Sequence, residues 1–415
     1  MIFGNYLHIY QPPDQHEDSL RQIVKESYFP LVKILKENPE GKLTLNISAC
    51  LTEQLLSLGY QDLIEDLKSL VKNGQIELTD SSKYHAFLPL LSSFEIERQI
   101  KLNSETHQKI FGEIYQPKGF HLPEMAYSRK VAEIVAKFSY HFLVLNEISF
   151  EGKLFSKIDT SKIYKLKNFP QIKILFRNRK LSDLIQRGFL RETKDFYHFL
   201  EKEVGEDEYI ITAMDGETFG HHRPGLENFL AKLYQEKKVK TMTISEIINH
   251  FPEGEEIEPL EGSWASMESE IKEKIPYAQW NYPGNPIHQK QWELTYLAIE
   301  TVKQYPRDPK FNEARELLDR ALFSCQYWWA GAVPWWEVEY IEKGAYYLRK
   351  TIEILETVPI KIKEKAQKLY SQIVFTAFDW ERSGLAHKKS MEYTKKIIDE
   401  LGEKIPEPST LHSKK

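Results

Sequence analysis

Cysteine is nearly missing from this 415-residue sequence: only Cys50 and Cys325 occur, too far apart to form a disulfide framework. Their scarcity fits a reducing compartment and argues against a small disulfide-stapled secreted fold. Long apolar runs are missing too. Nothing approaches the ~20 residues of a membrane span, and the N-terminus MIFGNYLHIYQPP has no basic stretch ahead of an apolar one. A cytoplasmic protein with no membrane partner is expected. Basic excess is also lacking, since 56 Lys+Arg stand against 61 Asp+Glu for a net charge of −5. Neutralising a phosphate backbone needs the opposite balance, which argues against nucleic acid as a partner. No fixed-period repeat or low-complexity tract occurs. The chain carries no GxSxG elbow, P-loop, GxGxxG or HExxH, and neither a serine hydrolase nor a nucleotide cofactor is implied.

What is present is material for a large core: 41% of residues are hydrophobic and 13% aromatic, the latter as 22 Phe, 22 Tyr and 8 Trp. Aromatic faces suit sugar rings as well as protein interiors. Richness in Lys, Glu and Ile hints at growth at high temperature. Up to about residue 250, short β-rich runs alternate with helical patterns. The runs are Phe3 to Tyr10, Leu43 to Ser48, Ile76 to Thr79, Gly119 to His121, Phe142 to Leu145, Ile172 to Phe176 and Tyr209 to Ala213. Such alternation predicts an α/β fold with a parallel sheet and outer helices, and about seven units favour closure into a barrel. Between strands, Leu63, Leu67, Leu70 and Val71 recur at helical spacing. Polar residues cluster after the strands, where a barrel places its site.

Past Gly254 a Glu-rich connector and an aromatic stretch lead into helices only. Leu317, Ala321, Leu322 and Cys325 are expected on one helix face, and Ile341, Ala345, Leu348 and Ile352 on another. The expected organisation is a catalytic barrel over residues 1–255, a helical domain over 256–405 contributing to the active-site cleft, and a frayed tail over 406–415.

Four clusters carry potential chemistry. In the first, His8, Tyr10 and Gln11 end a strand before Pro12, with His8 and Tyr10 on one face by alternation; they read either as hydroxyl-binding groups or as packing at a barrel end. GQIELTDSSKYHAFLPLL places Glu77 inside a strand, where an unpaired carboxylate is costly, and His85 in the following loop; Glu77 reads as a binding group or as a structural partner. In GFHLPEMAYS, His121, Glu124 and Tyr127 surround Pro123 at a strand exit. Glu124 there suits a fixed nucleophile or a carboxylate favoured at a helix N-terminus. MDGETFGHHRPG packs Asp215, Glu217, His221 and His222 into a glycine-punctuated loop after a buried strand. Two carboxylates on different strand ends, Glu124 and Asp215, are what glycosidic cleavage uses: one attacks the anomeric carbon while the other protonates the leaving oxygen. The competing chemistry is a metal-dependent sugar hydrolase or deacetylase built on the histidines, although their local spacing is not that of a metal motif. A non-catalytic carbohydrate-binding protein of the same fold is the third alternative.

Taken in order, these clusters resemble the conserved regions of glycoside hydrolase family 57, a family of α-glucan-active enzymes. HIYQPP is similar to its first motif with Tyr10 in place of a second His, and GQIELTDSSKYHAFLP to its second, with Glu77 and His85. GFHLPEMAY is similar to the third, whose nucleophile falls on Glu124, with His121 where many members have Trp. Asp215 takes the position of the acid/base. SCQYWWAG is the nearest match to the fifth motif, with Gln326 replacing an Asp and Trp329 matching the aromatic. The resemblance implies an incomplete (β/α)7 barrel followed by a helical domain and a retaining enzyme of α-amylase or 4-α-glucanotransferase type. It also implies an α-glucan or α-linked oligosaccharide as substrate, no cofactor and no metal. The implied substrate-binding residues are His8, Tyr10, Gln11, Glu77, His85, His121, Tyr127, His221, His222, Gln326 and Trp329. Hydrolysis and transfer remain alternatives.

Overall fold

The computed structural model describes residues 1–332 and 336–401. Nine strands occur among the described residues: β1 (Ile2–Ile9), β2 (Leu43–Ile47), β3 (Ile76–Thr79), β4 (Phe142–Asn146), β5 (Ile163–Leu166), β6 (Phe169–Arg177), β7 (Tyr209–Asp215), β8 (Lys240–Thr241) and β9 (Glu253–Ile257). One sheet has the order β3-β2-β1-β7, with β8 also pairing β1; the other has the order β4-β6-β5-β9. Every pairing is parallel except the β5/β6 hairpin. β1 is buried along its whole length, as a strand covered on both faces must be.

Single contacts join the two sheets into a ring. Parallel bridges Asp80↔Phe120 and Gly119↔Phe142 connect β3 to β4, and the Asn178 N–H donates to the Ile211 carbonyl at 2.7 Å to connect the end of β6 to β7. The ring thus runs β1, β2, β3, residues 119–120, β4, β6, β7, the same seven positions the alternation predicts. One of them is not a strand. Gly119 to His121 makes only isolated bridges, because Pro123 and two left-handed residues turn the chain away immediately afterwards. Gly119 itself is required, since a Cβ there would lie 2.1 Å from the Phe142 ring.

The helices pack as their periodicity dictates. Gln61–Lys72 buries Leu63, Ile64, Leu67 and Leu70, each contributing ~1.5–3 kcal/mol by leaving water, while Val71 sits at the margin. The Glu-rich connector differs from expectation. It forms β9, an edge strand whose Glu253 and Glu255 pair with Lys173, Lys165 and Lys162 on its neighbours. The first compact unit comprises residues 1–83 and 88–264.

The second unit comprises residues 84–87 and the described residues from 265 on, and is helical. Ile341, Ala345, Leu348 and Ile352 are all buried along Val338–Glu353, as expected. The other expected face is broken. Phe311–Ala321 ends before Leu322, and Cys325–Ala330 starts afresh, because Phe323 bridges Ala86 and the Ser324 N–H donates to the His85 carbonyl. Leu318 takes the buried place predicted for Leu317. The tail expected to fray, 406–415, lies outside the described residues. Among those residues no helix is long and apolar enough to cross a membrane.

Candidate active site

Strand register assembles the first part of the site. Parallel pairing sets His8 between Asn46 of β2 and Asp215 of β7, and sets Asn46 level with Thr79 of β3. The Asn46 amide Nδ2 donates to the carbonyls of Thr79 and Asp80, which turns its Oδ1 toward His8 Nδ1 at 2.8 Å. Burial lowers the imidazole pKa of His8, so the neutral ring donates from Nδ1 to that oxygen. The His8 ring stacks on His121, with centroids 4.4 Å apart and planes 16° apart, and on Tyr10 at 6.1 Å. His121 is anchored in turn by Tyr6, whose hydroxyl lies 3.2 Å from Nδ1.

Glu124 stands in the short turn Pro123–Met125, with φ of 60° there and 48° at Met125. Left-handed backbone at non-glycine residues costs on the order of 1–3 kcal/mol each and persists only where the surroundings enforce it. The enforcing bonds are Met125 N–H to the Leu122 carbonyl, Ala126 N–H to the Pro123 carbonyl and Trp264 N–H to the Glu124 carbonyl. Trp264 also donates its indole N–H to Glu124 Oε2 at 2.9 Å. The helix begins only at Arg129, capped by Ser128, so Glu124 is not a helix N-terminal carboxylate.

Asp215 ends β7. Burial raises its carboxyl pKa, opposed in part by the charges of His8 and Arg177. Among the described residues no hydrogen bond reaches the Asp215 carboxylate. Arg177, at the end of β6, is buried and donates to Asp183 at 2.6 Å. Two residues beyond Asp215, Glu217 is buried and accepts from the Tyr10 N–H, from Gln11 Nε2 at 3.1 Å and from the Tyr28 hydroxyl. Burial, with the neighbouring Asp215 charge, pushes its pKa up to about 7. Contacts link the two catalytic candidates: Asp215 faces His8, the His8 ring lies 6.3 Å from that of Trp264, and Trp264 holds Glu124.

The first unit therefore brings His8, Tyr10, Gln11, His121, Glu124 and Asp215 together. Other expected residues of the first unit stand apart. Glu77 lies two residues before Thr79 in β3, and its carboxylate is taken by Thr44 and by the backbone and hydroxyl of Ser245, at the start of a helix. The charges nearest the Tyr127 hydroxyl are Glu258, Arg129, Glu261 and Glu133, none of them in the constellation. His221 pairs with Glu26 at 2.7 Å, and His222 is exposed. In the second unit, His85 Nδ1 lies 2.9 Å from the Ser324 hydroxyl. There too, Gln326 is buried and donates to the Ala321 and Phe323 carbonyls, while Trp329 stacks on Tyr340 at 5.5 Å.

Asn46, Arg177 and Trp264 contact the candidate residues His8, Asp215 and Glu124, and motif reading does not single them out. Arg177 is a cation directly after an apolar strand run, and Trp264 sits in an aromatic stretch with no motif around it.

Comparison with known proteins decides the family. Residues 3–259, well over half the chain, match Glycosyl hydrolase family 57. The chain belongs to that family. Among curated relatives it is similar to an α-amylase of Pyrococcus horikoshii, 27% identical over 314 residues, or 73% of this chain and 46% of the relative. It is also similar to a 4-α-glucanotransferase of Thermococcus litoralis, 24% identical over 76% of this chain and 45% of the relative. The chain thus spans about half the length of these relatives. In fold it resembles the crystal structure of the Thermococcus litoralis 4-α-glucanotransferase, with a TM-score of 0.69 at 20% identity over 86% of this chain and 60% of that one. An α-amylase of Thermotoga maritima is comparable, with a TM-score of 0.63 at 16% identity over 94% and 95% of the two chains.

Proposed function

We propose that this chain is a retaining α-glucan-active glycosidase or transglycosylase, with Glu124 as nucleophile and Asp215 as general acid/base. The observation that carries the reading is the contrast between the two carboxylates. Glu124 accepts an indole N–H in a rigid turn, which orients an attacking oxygen. Asp215 accepts no hydrogen bond among the described residues and is desolvated, so its acid form is favoured.

In the first step Glu124 attacks the anomeric carbon while the Asp215 proton passes to the leaving oxygen, giving a covalent glycosyl ester. In the second, Asp215 takes a proton from water or from a sugar hydroxyl as that oxygen displaces Glu124. Neutral His8 lies beside Asp215 in the register, and the faces of Tyr10 and Trp264 suit sugar rings. Relatives named α-amylase and 4-α-glucanotransferase support an α-linked glucan as substrate.

The test is product analysis on maltooligosaccharides with the anomer followed by NMR. Parent enzyme is expected to give α products, shortened by hydrolysis or redistributed in length by transfer. Glu124→Gln and Asp215→Asn are each expected to lose ~10²–10⁴-fold in rate. Parent-like rates in both variants would sink the proposal.

A further inference from the structure

Between the helices Glu17–Ile23 and Phe29–Glu37 lies a π-helical turn, Val24–Tyr28. Its origin is legible in the residues. Pro30 has no N–H to give to the carbonyl of Glu26, its partner in an α-helix, and its ring would clash there, so the turn widens and Phe29 N–H bonds the Val24 carbonyl five residues back. Turns of this kind disrupt regular bonding and concentrate at functional sites.

Three consecutive residues of this turn grip the loop that follows β7. Glu26 holds His221 Nδ1 at 2.7 Å, and the Ser27 hydroxyl donates to the Gly216 carbonyl at 3.0 Å. The Tyr28 hydroxyl donates to the buried Glu217 carboxylate. The Glu26 carbonyl itself presses on the loop, for a Cβ at Gly220 would lie 1.9 Å from that oxygen, and Gly220 has a φ of +109°. The loop therefore rests against the turn at four points, Gly216, Glu217, Gly220 and His221, and it begins immediately after Asp215.

We infer that the π-helical turn is the positioning element of the acid/base loop, and that Tyr28 acts through Glu217 as a positioning residue for Asp215. The inference rests on the assignment of Asp215 as acid/base. Asp215 is faced by His8 from β1, Arg177 from β6, Glu217 on its own loop and Tyr28 from the turn. Ionised Glu217 opposes ionisation of Asp215, and the Tyr28 hydrogen bond favours ionised Glu217. Removing either group lets Asp215 lose its proton at lower pH.

The experiment is a double-mutant cycle on the full chain with Tyr28→Phe and Glu217→Gln, reading kcat, KM and the alkaline limb of the pH–rate profile. Thermal unfolding serves as the fold control. Tyr28→Phe is expected to lower kcat about tenfold, the loss of one charge-assisted hydrogen bond, with KM within about twofold. Its alkaline limb moves to lower pH, and the double variant is no worse than Glu217→Gln alone. Gly220→Ala, which pushes the loop off the Glu26 carbonyl, is expected to show the same kcat loss. Additive effects, an unmoved limb or a change in KM alone would overturn the inference. Asp215→Asn run in parallel separates the two claims. If it keeps the parent rate, the acid/base assignment itself fails. If it is inactive while Tyr28→Phe matches the parent in kcat and limb, only the positioning role fails.

Discussion

The turn that carries Glu124 and the loop that carries Asp215 leave the same barrel rim and are built by opposite means. Glu124 is fixed by strain and direct bonding: two left-handed residues hold the backbone, and Trp264 bonds both its carbonyl and its carboxylate. Asp215 is at the end of a regular strand, its carboxylate has no hydrogen-bond donor among the described residues, and its loop is gripped from behind by residues of the π turn. A nucleophile must be charged and immobile; an acid/base must hold and release a proton. Rigid donors serve the first need and desolvation the second.

The sharpest way to break this contrast is a substrate whose leaving group needs no proton. Asp215→Ala is expected to lose ~10²–10⁴-fold on maltooligosaccharides yet to recover much of that on an aryl α-glucoside with a strongly acidic phenol, while Glu124→Ala stays inactive on both. Burst kinetics of phenol release would measure it, and equal recovery in both variants would erase the distinction.

Next in size is Trp264→Phe, which keeps the ring and deletes the donor to Glu124. A hydrogen bond to a charged group contributes ~1.5–3 kcal/mol, so kcat should fall about 10- to 100-fold. A parent-like kcat would mean that the turn alone orients the nucleophile.

Smaller effects lie on the Asp215 side. The Glu217 carboxyl is pushed up to about 7 from an ordinary value of 4.5, so the folded chain holds a proton that the unfolded chain has released between those values. Stability contributed by this group is therefore lost as pH rises through that interval. The thermal midpoint should decline across it, and Glu217→Gln should flatten the decline. An unchanged slope would place the titration elsewhere.

The smallest effect is expected at Glu77. Glu77→Gln keeps an oxygen to accept from Ser245 and Thr44, so the cost is on the order of 1 kcal/mol in stability, read by denaturant unfolding, with KM for maltooligosaccharides unchanged. A several-fold rise in KM would restore a substrate role to this residue.

These residues also show how far sequence reading reaches. Strand alternation located all seven ring positions, and Pro123 ahead of Glu124 signalled a fixed carboxylate, because both are local properties of the chain. Partners remote in sequence were not legible. Trp264 meets Glu124 across 140 positions and Tyr28 meets Glu217 across 189, and neither contact leaves a pattern near either residue. Glu77 shows the converse: a carboxylate inside a strand reads as chemistry until Ser245, 168 positions away, is seen to satisfy it. Gln326 is similar, its amide held by carbonyls at the end of the preceding helix.

The central claim is that Glu124 forms a covalent bond to the sugar. Incubation with a 5-fluoro-α-glucosyl fluoride, which slows the second step more than the first, followed by peptide mapping by mass spectrometry, tests it most directly. One glycosyl adduct on the peptide containing Glu124, absent in Glu124→Gln, is the result the account predicts. An adduct on another residue, or turnover with inverted anomer and no adduct, would contradict it.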